Sequence, residues 1–371
     1  MSRGVFVSCP IRAFIIALIV LVAAVKVTMT SGASTVLGNL AASMKPGAWA
    51  QLNTGNINKT LSASGASGII FGYTEYIKWD SVGQRLYYMG SDHNSTSGAI
   101  YAEHVQYDAA TNIWSRLPEQ SWASLQPRTA SHGYDHGAID PANRYFYFRP
   151  FGSLTIHRYN MDTGLWTSMP DNHVIQYNSC CVGLEYFPEL HGVIWAGDES
   201  GDNGGVTRLN DATGKWDRVG KAASYAMGDY HNFAEYNPVR KAVVFGGGTG
   251  GAAARRIYKL DGTGAVTPLA PAPIDLGIQN AIFTVDPVNG DYLVFTKNNE
   301  FYVYDVVTDS WTLKTTGSSV PIWTTVYSDA VHGVVAGPID TYGVNIFVTC
   351  NGSNNCKVNV YKHSTSNPSP R

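Results

Sequence analysis

Side chains suited to chemistry are concentrated in short polar and aromatic segments of this 371-residue chain, each just ahead of an apolar stretch. The richest segments are His132-Gly-Tyr-Asp-His136 and Asp229-Tyr-His-Asn232. Tyrosines, carboxylates and amides that converge on one surface suit sugars or peptides, because aromatic faces stack and amides bond hydroxyl groups. The alternative is that these residues are buried, satisfied polar groups that hold the fold together. The candidate ligand-binding residues are Glu75, Tyr134, Asp135, His136, Tyr177, Asp229, His231, Asn280 and Trp323.

Catalytic and metal motifs are weak throughout. His132, His136 and His231, with two neighbouring aspartates, would form a metal or acid–base site only if they faced one pocket. No Gly-x-Ser-x-Gly elbow occurs, and the glycine run 246–251 lacks the lysine and the following helix of a phosphate-binding loop. We therefore predict no catalytic residue, no metal site and no cofactor, and we expect lone histidines at loop–strand junctions to be structural.

Composition narrows the fold that must position these residues. Apolar residues make up 44% of the chain, aromatic residues 12% and charged residues only 15%, with 38 glycines. This balance excludes disorder, coiled coils and simple helical bundles, and indicates a compact β-rich protein. The net charge of −2 offers no basic surface, so nucleic acid is excluded as a partner.

A repeat of about fifty residues organises the chain. The segment Tyr107-Asp-Ala-Ala-Thr-Asn-Ile-Trp114 is its clearest copy. The tryptophan position recurs, 45 to 52 residues apart, at Trp166, Trp216, Val266 (a weaker copy) and Trp311. In each copy, Asp or Asn starts a tight turn by bonding its own backbone, and the tryptophan opens the next strand.

A second, more apolar hairpin precedes each tryptophan hairpin, so each repeat holds four strands. Four-stranded units repeated radially make a β-propeller. The blades begin near Tyr73, His136, Val182, Phe233, Ala281 and Trp323. We therefore predict an all-β fold, a six-bladed β-propeller of four-stranded antiparallel blades.

The Tyr-Asp-x-x-Thr-x-x-Trp hairpin and the glycine-ended strand Val243-Val-Phe-Gly-Gly-Gly248 resemble Kelch-type propellers, the superfamily that includes the propeller of galactose oxidase. The resemblance covers roughly residues 48–363. The paired glycines of Kelch repeats are clear only at 246–248, so this chain resembles a divergent member. Galactose oxidase-like enzymes hold copper with two tyrosines and two histidines, one tyrosine being cross-linked to cysteine, and no local motif here matches that set.

Two closures of the ring are consistent with the sequence. Trp49-Ala-Gln-Leu52 resembles the tryptophan strand, so it would complete the last blade from the other terminus, and we favour this closure. Alternatively, residues 344–349 and 357–362 supply the last hairpin, clipped by a Cys350–Cys356 disulfide. In either case the termini meet in one blade. The structural tryptophans of the repeat are then Trp49, Trp114, Trp166, Trp216 and Trp311.

The N-terminus resembles a secretory signal. Thirteen uncharged residues, 13–25, follow two arginines, which is too short for a comfortable membrane span. The alternative is an uncleaved signal anchor. The predicted boundaries are a signal peptide at 1–33, a linker at 34–47, the propeller at 48–363 and a disordered tail at 364–371.

Export fits the cysteines. Cys350 and Cys356 flank a turn-rich stretch and are expected to pair in an oxidising compartment. Cys180 and Cys181 are adjacent, and we expect two buried thiols facing opposite sides of a strand.

Three functions are consistent with these features. The first is a secreted, periplasmic or extracellular binding module that takes a glycan or a protein on one loop face. The second is a carbohydrate-active propeller enzyme, a galactose oxidase-like oxidase or lyase. The third is a structural surface or assembly protein. A membrane is a partner only if the N-terminal segment stays as an anchor.

Overall fold

Six four-stranded antiparallel sheets make up the described part of the chain, which confirms the predicted all-β, six-bladed propeller. The structure is a computed structural model that describes residues 1, 34–62, 69–91, 103–120, 122, 133–175, 181–197, 205–220, 225–278, 280–316, 320–322, 333–351 and 354–364. Within a blade, strands that follow one another in the chain are hydrogen-bonded neighbours, running from the axis outwards. Blade 6 differs in one strand.

The first strand of the chain, β1 (Ala48–Leu52), belongs to blade 6. Blade 1 contains β2 (Lys78–Asp80), β3 (Arg85–Gly90), β4 (Glu103–Asp108) and β5 (Ile113–Arg116). Blade 2 contains β6 (Gly137–Asp140), β7 (Tyr145–Phe148), β8 (His157–Asn160) and β9 (Trp166–Ser168). Blade 3 contains β10 (Gly183–Phe187), β11 (Gly192–Gly197), β12 (Gly205–Asn210) and β13 (Lys215–Val219).

Blade 4 contains β14 (Asp229–Asn237), β15 (Ala242–Thr249), β16 (Ile257–Asp261) and β17 (Val266–Pro268). Blade 5 contains β18 (Ala281–Val285), β19 (Tyr292–Thr296), β20 (Glu300–Asp305) and β21 (Ser310–Thr316). Blade 6 contains β22 (Val334–Ile339), β23 (Val344–Cys350) and β24 (Cys356–Lys362), with β1 outermost. The described helices are α1 (Val36–Ser43), α2 (Ile57–Leu61) and two short 3-10 turns, Pro188–Leu190 and Gly251–Arg255.

The predicted tryptophan hairpin forms the outer edge of blades 1 to 5. Trp114 lies directly opposite Tyr107, and the equivalent positions pair in the next four blades, with leucine in place of tyrosine in blades 3 and 4 and Val266 in place of tryptophan in blade 4. The turn chemistry is also as expected, since Asp108 Oδ1 accepts a hydrogen bond from the Thr111 amide at 3.0 Å. Equivalent Asx bonds close the turns at Asn160, Asn210, Asp261 and Asp305.

The ring closes as the favoured alternative predicts. Strand β1 pairs antiparallel with β24, placing Trp49 opposite Tyr361. The second alternative is correct about its strands but not about their place: β23 and β24 are the middle strands of blade 6. The predicted Cys350–Cys356 disulfide is present and joins them at their turn. The two predicted closures are compatible, because the β23–β24 hairpin lies inside blade 6 and the N-terminal strand β1 pairs on its outer side.

Neighbouring blades approach closely along the axis. Asp135 forms a parallel bridge with Gly183, and Tyr76 forms another with Ala336, so innermost strands contact across blade boundaries. A side chain at Gly183 would place its Cβ 2.3 Å from the carbonyl carbon of Phe233 in blade 4. Glycine at this position therefore allows blades 3 and 4 to pack backbone to backbone.

The segment predicted as a linker, residues 34–47, contains helix α1. Thr35 caps its N-terminus by accepting a bond from the Gly38 amide at 2.9 Å, and Leu37 is fully buried. The predicted signal peptide and all but Ser364 of the predicted tail lie outside the described residues. No helix among the residues that the structure describes is long and apolar enough to cross a membrane.

One cysteine prediction is wrong. Cys181 is disulfide-bonded rather than a free buried thiol, and its partner lies outside the described residues. Cys181 is buried beside Tyr134 and Ile278 near the axis.

Candidate functional site

The two faces of the ring carry different features: candidate ligand-binding residues on one, and the turns of the tryptophan hairpins on the other. We call the end at which innermost strands begin the upper face, and the end at which they stop the lower face. Because the strands of a blade alternate in direction, the tryptophan-hairpin turns lie on the lower face. The predicted ligand-binding residues lie at or near the starts of innermost strands, so those the structure describes belong to the upper half of the ring.

An aromatic cluster stands at the upper end of the axis. We call it the cup, and it consists of four rings in contact, those of Tyr73, Tyr134, Phe151 and His231, together with Tyr230, which precedes His231 in the chain. The His231 ring stacks between two tyrosines, with centroids 5.7 Å from Tyr73 and 5.5 Å from Tyr134. Phe151 lies 5.9 Å from Tyr134, and the Tyr230 side chain is 56% exposed. The cup thus combines a packed base with an aromatic ring presented to solvent.

Four cup residues have left-handed backbone conformations, which bulky side chains rarely adopt. The φ angles are 45° at Tyr73, 40° at Tyr134, 56° at Tyr230 and 57° at His231. Strain of this kind costs about 1–3 kcal/mol per residue and concentrates at functional sites. In β14 its cause is visible, since the register with β15 shifts between Asp229 and Asn232.

The bulge in β14 explains why Tyr230 is exposed. An extra residue in one strand of a pair bends that strand and re-aims the side chains within the bulge. Opposite it, Gly247 and Gly248 of β15 have φ of 68° and 113°, and a Cβ on Gly248 would lie 2.3 Å from the Gly228 oxygen. The glycine run that resembles a Kelch feature therefore makes room for the bulge.

His136 supports the cup from below. Arg149 Nη1 donates to His136 Nε2 at 3.0 Å, so this nitrogen is an acceptor and its lone pair is engaged. The Arg149 guanidinium also stacks on the Trp195 ring of blade 3 at 4.2 Å. Together these contacts fix the position of His136 and tie blade 2 to blade 3.

Beneath the cup, charged side chains fill the channel. We call them the axial cluster, and its members are Glu75 and Lys78 of blade 1, Asp135 of blade 2, Glu185 of blade 3 and Glu235 of blade 4. Lys78 Nζ lies 2.7 Å from Glu185 Oε2 and 3.8 Å from Glu235 Oε2. Asp135 Oδ2 accepts a hydrogen bond from the Ala234 amide at 2.7 Å. The cluster therefore connects four blades at the axis.

Burial and mutual repulsion perturb these groups. Burial, with weaker repulsion from Glu185, raises the pKa of Asp135 to about 7 against the attraction of Lys78. Burial also raises the pKa of Glu235 to about 8, and that of Glu75 well above its ordinary range. Burial alone would lower the pKa of Lys78, but the surrounding carboxylates raise it. The lysine is charged, and several of the acids hold protons near neutral pH.

The predicted ligand-binding residues separate into distinct places. Tyr134 and His231 are in the cup, Asp229 is exposed beside it, and His136 lies underneath. Glu75 and Asp135 are buried in the axial cluster. Asn280 lines a separate cavity of about 330 Å³ with Arg255 and Lys297. Tyr177 and Trp323 lie outside the described residues, as does His132.

Metal chemistry finds little support in the described part of the chain. No group of three or more histidine, cysteine, aspartate or glutamate side chains there is arranged to hold a metal ion. His231 Nδ1 is 3.4 Å from the Thr249 hydroxyl, and its ring is stacked between tyrosines. The arrangement can stack flat ligands and bond hydroxyl groups.

Sequence reasoning missed Lys78, Glu185 and Glu235. A signal was present in the repeat, because Gly183-Leu-Glu-Tyr and Phe233-Ala-Glu-Tyr place a glutamate at the same position of two innermost strands. A charged residue inside an apolar strand is buried only when it is paired. Tyr230 lies in the candidate segment 229–232 but was not among the candidate ligand-binding residues, because nothing in its local sequence predicts the bulge that exposes it.

No family model matches the chain, and no curated protein matches it. Among solved structures, a Bacteroides thetaiotaomicron structural-genomics protein of unknown function is 10% identical, with a TM-score of 0.49 over 84% of this chain and 75% of that one. A fungal alcohol oxidase of the AA5 family, in complex with copper, is 12% identical, with a TM-score of 0.48 over 86% and 76%. A chain of a nidogen/laminin complex is 14% identical, with a TM-score of 0.45 over 66% and 78%. Likeness at this level carries no conclusion about function.

Proposed function

We propose that this chain is an exported Kelch-type propeller that binds carbohydrate in the cup. The observation that carries the proposal is Tyr230, a tyrosine at φ 56° that is 56% exposed and directly precedes His231, the central ring of the column Tyr73, His231 and Tyr134. A left-handed backbone at a bulky residue is unfavourable in itself and such strain concentrates at functional sites, so a ligand-binding role accounts for it.

Carbohydrate is the ligand class that these side chains suit best. The Tyr230 ring offers a face for a sugar ring, and the Asp229 carboxylate next to it is exposed and can accept bonds from hydroxyl groups. The cup residues are aromatic and include no carboxylate, ammonium or guanidinium group, which suits a neutral polyol better than a strongly charged ligand. Because Arg149 engages His136, this histidine contributes support rather than acid–base chemistry.

Glycan binding by the intact chain tests this proposal. A glycan array identifies the preferred sugar, and titration calorimetry then compares wild type with Tyr230→Ala. We expect the variant to lose about tenfold to a hundredfold in affinity, because one aromatic contact contributes about 1–3 kcal/mol. The matched control is Leu165→Ala, an equally exposed apolar residue in a lower-face turn, which leaves affinity unchanged. Equal affinity in wild type and Tyr230→Ala, or binding of peptides but no glycan, would contradict the proposal.

Export is a separate part of the proposal. The Cys350–Cys356 disulfide is compatible with an oxidising compartment. We propose that residues 1–33 are removed as a signal peptide. N-terminal sequencing of protein recovered outside the producing cell should begin near residue 34. Membrane-bound protein that keeps its N-terminus would instead establish the signal anchor.

A further inference from the structure

The axial cluster is a charge-imbalanced group that the proposed binding function does not use. Four carboxyl groups and one ammonium group meet inside the channel. Glu75, Lys78, Asp135 and Glu185 are each at most 6% exposed. The space bounded by Glu75, Asp135 and Glu235 is too narrow for a water molecule. A cavity of about 90 Å³ lies against Lys78, Glu185 and Glu235, so water screening is weakest among Glu75, Asp135 and Glu235.

Lys78 neutralises one of the four acids. Its ammonium group is 2.7 Å from Glu185, while the contact with Glu235 is longer, at 3.8 Å. Glu75 Oε2 is buried and has no hydrogen-bond partner among the described residues. Asp135 is held by the Ala234 amide, which carries no net charge. Three carboxyl groups are left without a full counter-charge, and buried charges in this situation take up protons instead.

We propose that the axial cluster is a pH-sensitive contact among blades 1 to 4. While the carboxyl groups are protonated they do not repel one another and the blades stay packed, and loss of these protons at neutral to alkaline pH loosens the contacts. The four acids come from four different blades, each from an innermost strand or from the residues just before it. Lys78 belongs to blade 1, as Glu75 does. Repulsion among the acids is therefore repulsion between blades. The inference is independent of what the cup binds.

Among the described residues, the groups that face the acids from blades 5 and 6 carry no charge that would offset them. Blade 5 faces Glu235 with the Thr284 hydroxyl at 3.5 Å, and blade 6 faces the cavity with Ala336. Tyr76 and Tyr292 also face the cluster, and burial raises the pKa of each phenol, so both stay neutral. Burial likewise raises the pKa of Asp135 to about 7 and that of Glu235 to about 8. These directions agree with the charge count.

The sign of the effect follows from proton linkage. A carboxyl whose pKa is higher in the folded than in the unfolded chain keeps its proton on folding, so stability falls as pH rises from about 4 towards the folded-state pKa. Each such carboxyl raises the unfolding equilibrium constant about tenfold per pH unit in that window. Glu75→Gln keeps the shape of the protonated acid and removes one titrating group. The pH dependence of its unfolding free energy should therefore correspond to one proton fewer than in wild type.

The experiment is urea unfolding of the full chain between pH 5 and pH 8.5, for wild type, Glu75→Gln and the control Asp275→Asn. Asp275 pairs with Arg255 on the surface, so its variant makes the same acid-to-amide replacement outside the channel. We expect wild type and Asp275→Asn to lose stability in parallel as pH rises. The unfolding equilibrium constant of Glu75→Gln should rise about tenfold less per pH unit than that of wild type. The variant should therefore be more stable than wild type at pH 8.

Infrared spectroscopy of wild type keeps the test open if Glu75→Gln does not fold. Protonated carboxylic acid absorption should be present at pH 6 and disappear by pH 9. Its absence at pH 6, or identical slopes in wild type and Glu75→Gln, would overturn the proposal. A third outcome would overturn it as well: if millimolar Ca²⁺ at pH 8 restored the stability seen at pH 5, a metal cation rather than protons would balance the cluster.

Discussion

Lys78 and Glu185 form an ion pair across the axis of the propeller, with Nζ 2.7 Å from Oε2 and both side chains 7% exposed. Their strands belong to blades 1 and 3, which are not neighbours in the ring. The pair therefore spans the channel instead of sealing a seam between adjacent blades. Because the other acids of the axial cluster surround it, the lysine acts on the whole group.

Lys78→Met should destabilise the fold by about 3–5 kcal/mol at pH 7, since removal of one partner leaves buried carboxylates uncompensated. The loss should be smaller at pH 5, where more of the carboxyl groups hold protons. Urea unfolding at the two pH values measures both. The matched control is Arg255→Met, which breaks an exposed pair and should cost less than about 1 kcal/mol. A loss below about 1 kcal/mol for Lys78→Met would show that the ion pair is dispensable.

The fold was predictable because its information is local. Each tryptophan hairpin carries its own turn chemistry, such as Asp108 bonding the Thr111 amide, within about eight residues of sequence. Five such copies at one spacing determine the architecture. Helix α1 was missed because its eight residues contain no capping box or strong apolar period, and its burial depends on contact with Tyr342 of blade 6.

The site was harder to predict because its parts are far apart in the sequence. Lys78, Glu185 and Glu235 meet only after the ring has closed, and no local spacing relates them. Tyr230 is exposed by a bulge that depends on glycines in the neighbouring strand. Residues at strand starts could be named as candidates, but depth along the axis, which separates Glu75 from Tyr134, is a property of the assembled channel.

His104→Phe should stabilise the protein, and more so in acid. His104 is buried between the rings of Phe146, Tyr159 and Trp166 at 4.7–5.3 Å, and neither ring nitrogen has a hydrogen-bond partner in the described structure. Burial lowers its pKa to about 3. Because His104 is neutral in the folded chain and protonated in the unfolded chain over this range, stability falls as pH drops from about 6.5 towards 3.

The expected gain for His104→Phe is about 1–2 kcal/mol at pH 7, from removing unsatisfied polar atoms, and it should increase by about 1.4 kcal/mol per pH unit below pH 6. Thermal unfolding at pH 7, 5 and 4 measures this. The control His173→Phe changes an exposed histidine, which has no burial to relieve, and should give no such gain. A gain that stays constant with pH would show that His104 has the same pKa in the folded and in the unfolded chain.

Removing the disulfide should weaken blade 6 selectively. The bond joins residues six apart at the turn between β23 and β24. Closing a loop this short contributes about 2 kcal/mol through the unfolded chain. We expect the double variant Cys350→Ser/Cys356→Ser to lose about that amount in urea unfolding under oxidising conditions. Reduced wild type should lose at least as much, because reduction also opens the disulfide of Cys181, and an undiminished stability of the variant would show that blade 6 does not depend on the bond.

Trp49→Ala should weaken the docking of strand β1 on β24, the contact that closes the ring. The Trp49 ring lies 5.6 Å from Phe295 of blade 5 and 4.6 Å from Tyr361 of β24. Strand β1 has no short turn joining it to β24, so its docking depends on such contacts rather than on a tethering hairpin. We expect a loss of about 3 kcal/mol and faster hydrogen exchange of the β24 amides.

The matched control is Trp311→Ala in β21, a half-buried tryptophan at the same position of blade 5. It stacks on Tyr304 at 4.6 Å, so its removal should cost a similar amount in global stability. Its strand, however, is tied to β20 by the four-residue turn at 306–309, and rebinding is fast. Exchange of the β20 amides in Trp311→Ala should therefore rise less than exchange of the β24 amides in Trp49→Ala. Equal increases would show that β1 is held as firmly as a strand within a hairpin.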